Sequence, residues 1–372
     1  MSNAAAARLA AGLDALGLDA LVLLSPQSFT YATGLRVPTH AVMRWRHAAA
    51  LVTRTGVEAV LTVDMEESTV RAGITDAAVH VWKEFREDAM AALAAMVTDH
   101  LGPGPLRLGV ETDFVPVGAM DRLTALLPEV TWAPCEEVVA RARTSKTPDE
   151  LATVRSLAQA SDAALAAALT ASGPGDSEHT VGRRIVEALY SAGISEHRSL
   201  IVASGERSWF PNVGPSDRVL RPGDVVRVET FAGAGGYQAG VARTAVVGGP
   251  SAELRRAWSL VSGARAAALD LLRPGTDPTA VYRAYVEALG PLGDRAIVFF
   301  GHGMGLDLHE PPYLTATSTD PLEPGAILGI EPFVMVPGSF GLQVKDVVAL
   351  TEDGWTMLSD RLDGGELAVI GG

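Results

Sequence analysis

The sequence predicts an α/β (α+β) protein of two domains, a smaller one over residues 1–143 and a larger one over residues 144–372. Three observations predict this. Short apolar runs alternate with helical stretches through the N-terminal part, the pattern of an α/β layer domain. A polar stretch, RARTSKTPDE (Arg141–Glu150), then carries the start signals of a new helix. Beyond it the pattern changes to a pair of helices followed by strands, and does so twice, a hint of internal duplication.

In chain order, Ala4–Leu16 reads as a helix and ALVLL (Ala20–Leu24) as a buried strand. His47–Thr53, Val57–Val63, Val79–Trp82 and Leu106–Val110 read as further strands, being short, apolar and rich in β-branched residues. Asp88–His100 and Val117–Leu127 read as helices. At the boundary Thr147 can cap, Pro148 suits the first helical position, and Asp149 and Glu150 complement the dipole of the first turn. An alanine-rich helix then runs to about Ala171, and a second covers Glu178–Ala192. Strands are expected at Leu200–Ala203, Asp224–Thr230, Ala242–Val247, Ile297–Phe300, Ile327–Glu331 and Leu342–Leu350, with helices at Ala252–Leu272 and Pro278–Leu289.

Composition narrows the function. Of 372 residues 48% are hydrophobic and 20% charged, which supports a sizeable core and excludes wholesale disorder. A single cysteine forms neither an intramolecular disulfide nor a cysteine-based zinc site. A net charge of −14 argues against a nucleic-acid binder, since phosphate contacts need surplus cations. The first 24 residues lack a basic leader region, Asp14 and Asp19 interrupt their apolar stretch, and no apolar run reaches the ~18 residues of a membrane span. The expectation is a cytoplasmic protein with neither nucleic acid nor membrane as partner.

Three stretches can carry chemistry. In Arg221–Val247 two strands flank a glycine-rich turn, with Glu229 at the end of the first. No GK[ST] follows, so this is not a phosphate loop; a hairpin with a solvent-facing glutamate is the plainer reading. In VFFGHGMGLDLHEPP (Val298–Pro312) three glycines surround His302, and His309 closes the segment. Glycine there permits a sharp bend and close approach to the imidazole. In ILGIEPF (Ile327–Phe333) and GLQVKDVVAL (Gly341–Leu350), Glu331 ends a strand and Lys345 sits in an apolar one. Turned inward, Lys345 needs a carboxylate partner; turned outward it is an ordinary strand lysine, the reading that the pattern alone favours.

Together these stretches resemble the creatinase / aminopeptidase P / prolidase family. YATGL (Tyr31–Leu35), RTSKTPDEL, SGERSWFPNVGPSDRVLRPGDVV, GYQAGVART, GHGMGLDLHEPP, IEPF and GLQVKDVV fall in that family's order over nearly the whole chain. The resemblance implies a creatinase-type N-terminal α/β domain followed by a pita-bread C-terminal domain. It also implies a five-ligand set of Asp, Asp, His, Glu and Glu for two metal ions. Here those positions hold Glu229, Gly240, His302, Glu331 and Lys345, and the family's accessory histidine position holds Asn212.

Such a set carries about −1 rather than about −4. A lysine ammonium about 4 Å from a dication would cost roughly 8 kcal/mol at an effective dielectric of 20. The expectation is therefore no metal and no cofactor, with Lys345 standing in as the local positive charge between Glu229 and Glu331. The family includes metal-free enzymes for small nitrogen compounds, creatinase and ectoine hydrolase. By that likeness the expected function is a metal-independent enzyme for a small polar amino-acid-like or guanidino/amide-type substrate, hydrolysing a C–N bond in a specialised biosynthetic pathway. Elimination and decarboxylation stay open.

The expected catalytic residues are His302, His309, Glu229, Glu331 and Lys345; the expected substrate-binding residues are Asn212, Phe210, Arg243, Tyr313, Arg44 and Arg46. Arg44 and Arg46 flank Trp45 in a candidate lid, Val37–His47; two solvated arginines are the equal alternative. Trp209, Phe210 and Tyr313 either wall the pocket or pack. The resemblance implies a homodimer. Two further readings remain: a non-catalytic ligand- or peptide-binding protein, and an Xaa-Pro-type metallopeptidase with a rearranged mononuclear site.

Overall fold

The computed structural model describes residues 3–319 and 321–371. The chain divides into two compact units, residues 1–143 and 144–372.

The first unit runs α1 (Asn3–Leu16), β1 (Ala20–Leu23), α2 (Pro26–Thr33), β2 (Ala49–Thr53), β3 (Gly56–Val63), α3 (Glu67–Gly73), β4 (Ala78–Trp82), α4 (Ala89–Leu101), β5 (Leu106–Val110), α5 (Val117–Leu126), β6 (Val130–Pro134) and α6 (Glu136–Thr144). Its six strands form one mixed sheet in the order β4-β3-β2-β1-β5-β6. The β1–β2 and β2–β3 pairs are antiparallel, and the rest are parallel.

The YATGL segment is part of a helix that its composition did not announce. Ser25 caps α2, accepting from Ser28 N, and Gly34 ends it at φ 75°. Glu111, at the end of β5, takes the amides of Leu24 and Ser25 at 2.7 and 2.8 Å and both serine hydroxyls. Tyr31 Oη donates to the carbonyl of Ala142 at 2.7 Å, tying α2 to α6.

The second unit runs α7 (Pro148–Thr170), α8 (Glu178–Ser191), β7 (Glu196–Ser204), β8 (Val225–Ala234), β9 (Tyr237–Val247), α9 (Ala252–Leu269), α10 (Pro278–Leu289), β10 (Phe299–Gly303), β11 (Glu310–Thr315), β12 (Ile327–Ile330), β13 (Phe333–Val336), β14 (Phe340–Gln343), β15 (Asp346–Leu350), β16 (Trp355–Met357) and β17 (Ala368–Ile370). The expected cap is present as a full capping box: Glu150 N donates to Thr147 Oγ1, and Thr147 N to the Glu150 carboxylate.

Strands β17-β9-β8-β7 form one sheet and β11-β10-β12-β15-β16 another, with β13–β14 as a separate ribbon. Helices α7 and α8 share a core with the first sheet, and α9 and α10 with the second. This is the mixed α/β architecture expected, with the two helix-pair-then-strands passages in sequence.

One expected strand is two. Leu342–Leu350 breaks at Val344–Lys345: β14 pairs with β13, while β15 pairs with β12 and β16. At the break Lys345 exchanges backbone hydrogen bonds with Ala242 of β9, Lys345 N to Ala242 O at 3.0 Å and Ala242 N to Lys345 O at 3.2 Å. The two sheets are thereby joined at Lys345, and its side chain is directed between them.

Candidate active site

The site is built where the β8–β9 hairpin meets β10, β12 and the β14–β15 break. Strand side chains alternate between faces, so Arg227, Glu229 and Phe231 on β8 share one face. On β10 the pairing leaves no space for side chains at the glycines. A Cβ on Gly301 would lie 2.5 Å from Gly329 O, and one on Gly303 2.4 Å from Glu310 O. The strands close tightly around His302, which pairs with Gly329 on one side and Tyr313 on the other.

Four of the expected catalytic residues form one buried cluster, and the fifth stacks on it. Lys345 is 1% exposed, its Nζ 3.2 Å from Glu229 Oε1 and 2.7 Å from Glu331 Oε2. The ammonium lies 4.4 Å from the centroid of the Phe231 ring, a cation–π contact. The pattern-based preference for an outward Lys345 is thus corrected: the break in the strand turns it inward, where two carboxylates offset its desolvation. His302 is fully buried, with Nε2 3.6 Å from Glu331 Oε2. The His309 ring lies face to face on His302 at 3.5 Å and 14°, and Phe299 stands edge-on to both.

Sequence reasoning missed the second layer. Gln343 donates its amide to Glu331 Oε1 at 2.7 Å and Glu229 Oε2 at 3.1 Å. Its oxygen accepts from Arg227 Nη1 at 2.7 Å, which fixes the orientation of the amide. Arg227 is fully buried; its Nε donates to Ser208 O and its Nη2 to the carbonyls of Phe210 and Pro211. A signal existed: Arg227 and Phe231 lie two residues either side of Glu229, and Gln343 two before Lys345.

Electrostatics sets the protonation. Burial pushes the Glu331 carboxyl up, but Lys345 and His302 overcome it and hold it well below the usual range. Burial raises Glu229, with Lys345 only partly offsetting it. Burial would lower Lys345; Glu331 and Glu229 win and raise it, so it is a standing ammonium. Burial and then Lys345 lower His302, keeping the ring neutral. His309 is pushed down to about 4 by burial, His302 and Lys345. Burial brings Arg227 down to about 10.

The remaining expected residues differ in their surroundings. Phe210 is 40% exposed and packs on Trp209 at 4.4 Å, and Tyr313 is 38% exposed beside His302. Asn212 is exposed on the 208–214 loop. Arg243 is not a surface contact for a substrate: it is buried, pairs with Asp162 at 2.8 Å and Asp346 at 3.0 Å, and donates to Lys345 O at 2.8 Å. It holds the strand break in place. In the first unit Arg46 is held by both oxygens of Glu84, which also accepts from Trp45 Nε1, while Arg44 is exposed.

Whether this pocket fits metal can be read from its donors. Two ions do not fit. Gly240 offers no ligand, and a Cβ there would lie 2.4 Å from the Phe231 ring, so that ring fills the space a carboxylate would need. One ion does fit. The ligand atoms of His302, His309 and Glu331 lie within 4.8 Å of one another, the one such group among the described residues. His302 Nε2 is buried and faces Glu331 Oε2 at 3.6 Å; that oxygen is held by the Lys345 ammonium at 2.7 Å, with which an ion has to compete. His302 Nδ1 donates to Gly303 O at 2.9 Å, the backbone contact that orients a ligating histidine and leaves Nε2 as the lone-pair donor. The stacked ring planes share no common point, so the exposed His309 has to turn edge-on to join. The residues that could hold an ion here are therefore His302, His309 and Glu331.

Comparison with known proteins agrees with this architecture. Residues 6–145 match the creatinase/prolidase N-terminal domain, and residues 152–352 match metallopeptidase family M24. The chain is 32% identical over 349 residues to "Probable dipeptidase PepE" of Mycobacterium bovis, covering 93% of this chain and 90% of that protein. The crystal structure of dipeptidase PepE from Mycobacterium ulcerans superposes with a TM-score of 0.84 at 28% identity, over 99% of this chain and 97% of that one. The Xaa-Pro dipeptidase from Bacillus anthracis shares the fold, with a TM-score of 0.87 at 23% identity over 99% of this chain and 100% of that one. The relatives named dipeptidases overturn the expected metal-independent enzyme for guanidino- or amide-type small molecules: the chain is an enzyme of the hydrolase class. With both segments matched over most of its length, the chain belongs to metallopeptidase family M24, behind a creatinase/prolidase-type N-terminal domain.

Proposed function

We propose that this chain hydrolyses short peptides, of dipeptide size, with a single divalent ion in place of a pair. The observation that carries it is the convergence of the ligand atoms of His302, His309 and Glu331 within 4.8 Å of one another, with the buried His302 Nε2 facing the Glu331 carboxylate at 3.6 Å. The curated relative named a dipeptidase, similar over nine-tenths of the chain, supports the substrate class. His302, His309 and Glu331 would hold the ion, which supplies Lewis-acid polarisation of a carbonyl and a water of lowered pKa.

The chain's own residues do the rest. Gln343, oriented by Arg227, fixes both glutamates. Lys345 keeps Glu331 ionised and places a positive charge where a substrate carboxylate or developing oxyanion can be met. Phe210 and Tyr313, partly exposed, supply apolar wall. All of these lie in residues 144–372, which we assign as the catalytic domain, with residues 1–143 as the accessory one. No helix among the described residues is long and apolar enough to cross a membrane, and we place the enzyme in the cytoplasm as a homodimer.

A panel of dipeptides, Xaa-Pro included, assayed with added Mn²⁺, Co²⁺ or Zn²⁺ tests the reading. Ion-dependent turnover is expected, lost in His302→Ala and Glu331→Gln. No turnover of any dipeptide with any of the ions, by protein of correct fold, would refute it.

A further inference from the structure

Away from the active site, the first unit brings two histidines together. His80 lies on β4, the edge strand of the six-stranded sheet, and His100 on the last turn of α4. Their Nε2 atoms are 3.0 Å apart, with ring centroids at 5.2 Å and planes at 74°. Both residues are half-buried.

A hydrogen-bonded imidazole pair accounts for the distance only if one ring keeps its proton on Nε2. Nothing in the fold enforces that, because no hydrogen bond engages either Nδ1 among the described residues. Both rings can carry the proton on Nδ1 and direct two lone pairs at one point. Two nitrogens bound at about 2.1 Å to one ion, 90–109° apart, stand roughly 3.0–3.4 Å from each other, a spacing that the 3.0 Å between these two atoms meets. Unlike His302 and His309, the two rings are not stacked face to face. Glu58 feels the charge of His100, and Asp99 that of His80, so the surroundings are anionic. Desolvation and His100 lower His80, which favours the neutral, ligating form near pH 7.

We propose that His80 and His100 form a two-histidine site for a borderline divalent transition ion such as Zn²⁺, Ni²⁺ or Co²⁺, with water completing the coordination. An ion there clamps the sheet's edge strand to α4 and stabilises the folded state by mass action.

The test is Ni²⁺ titration by calorimetry on the full chain carrying His302→Ala and His309→Ala, which leaves Glu331 as the one donor of the candidate active-site group. One ion per chain at micromolar affinity is expected, weakened at least tenfold by His80→Ala and equally by His100→Ala. Amide exchange in Ala78–Trp82 should slow on Ni²⁺ addition in the parent and not in either variant. His100→Gln serves as a second variant should the alanine change disturb packing, judged by the metal-free unfolding midpoint. Binding that survives both substitutions, or none detectable at 100 μM Ni²⁺ (about a hundredfold above the expected Kd), overturns the proposal and leaves a hydrogen-bonded imidazole pair only.

Discussion

Lys345 is the side chain on which the charge of the pocket turns. Its ammonium satisfies Glu229 and Glu331 at 3.2 and 2.7 Å, and competes with any divalent ion for Glu331. Removing one member of a buried pair leaves uncompensated charge, at a cost of about 3–5 kcal/mol. Lys345→Met should therefore lower the stability of the metal-free protein by about that much. It should also tighten Mn²⁺ or Co²⁺ binding at least tenfold, since repulsion is removed and a carboxylate released. Chemical denaturation and calorimetry read the two effects separately; unchanged ion affinity would mean that Lys345 does not contest the site.

His40 makes a different residue-scale prediction. Its Nε2 contacts Leu24 O at 2.8 Å, and burial pushes its pKa from 6.5 down to about 4. The unfolded chain thus takes up a proton below pH 6.5 that the folded chain refuses until about pH 4. The stability is present above pH 6.5 and is lost as pH falls through that window, by up to about 3 kcal/mol. Urea unfolding at pH 7 and 4.5 should show His40→Asn with a smaller acid loss than the parent.

At the scale of elements, the β8–β9 hairpin decides what the pocket can hold. Phe231 and Gly240 are cross-strand partners, and the ring lies over the glycine. Gly240→Ala should cost about 1–3 kcal/mol by overpacking, and that cost should shrink in a Phe231→Ala background, where the ring is gone; unfolding midpoints of the parent, both single variants and the double variant check this. Much of this layer was legible. Thr147 announced the cap of α7, and the glycines at 301 and 303 announced a crowded backbone around His302. Glu229, His302, Glu331 and Lys345 were grouped by the family resemblance, while the residue pattern by itself left Glu229 open and turned Lys345 outward.

What escaped the sequence depends on long-range pairing. The break between β14 and β15 exists because each half has its own partner, which local propensity does not encode. Strand β11 hides among prolines, and Arg243 looked like a pocket residue until Asp162, 81 positions earlier in the chain, was placed against it. The expected metal-independent chemistry rested on summed charge alone, and the dipeptidase relatives overturn it.

At the scale of the whole molecule, association is the open quantity that the surface bears on. Val42, Trp45, Met65 and Phe85 are 58–90% exposed, and Glu84 links their segments, accepting from Trp45 and Arg46 and donating its amide to Asp64. Phe85 is held at φ 62°, a costly backbone for a bulky residue, with its ring in solvent. Large exposed apolar groups gathered in this way mark interaction surfaces. Light scattering should give twice the 38.8 kDa chain mass at micromolar concentration, and Phe85→Asp with Trp45→Ser should shift it towards the monomer. A parent that is monomeric throughout would remove the dimer from the proposed function. At the Phe231–Gly240 contact a carboxylate at position 240 meets an aromatic ring, and trimming that ring strips Lys345 of a neighbour, so the two positions are coupled. A change at either one is felt by the charge at the centre of the pocket, and the hairpin passes on a substitution made one strand away.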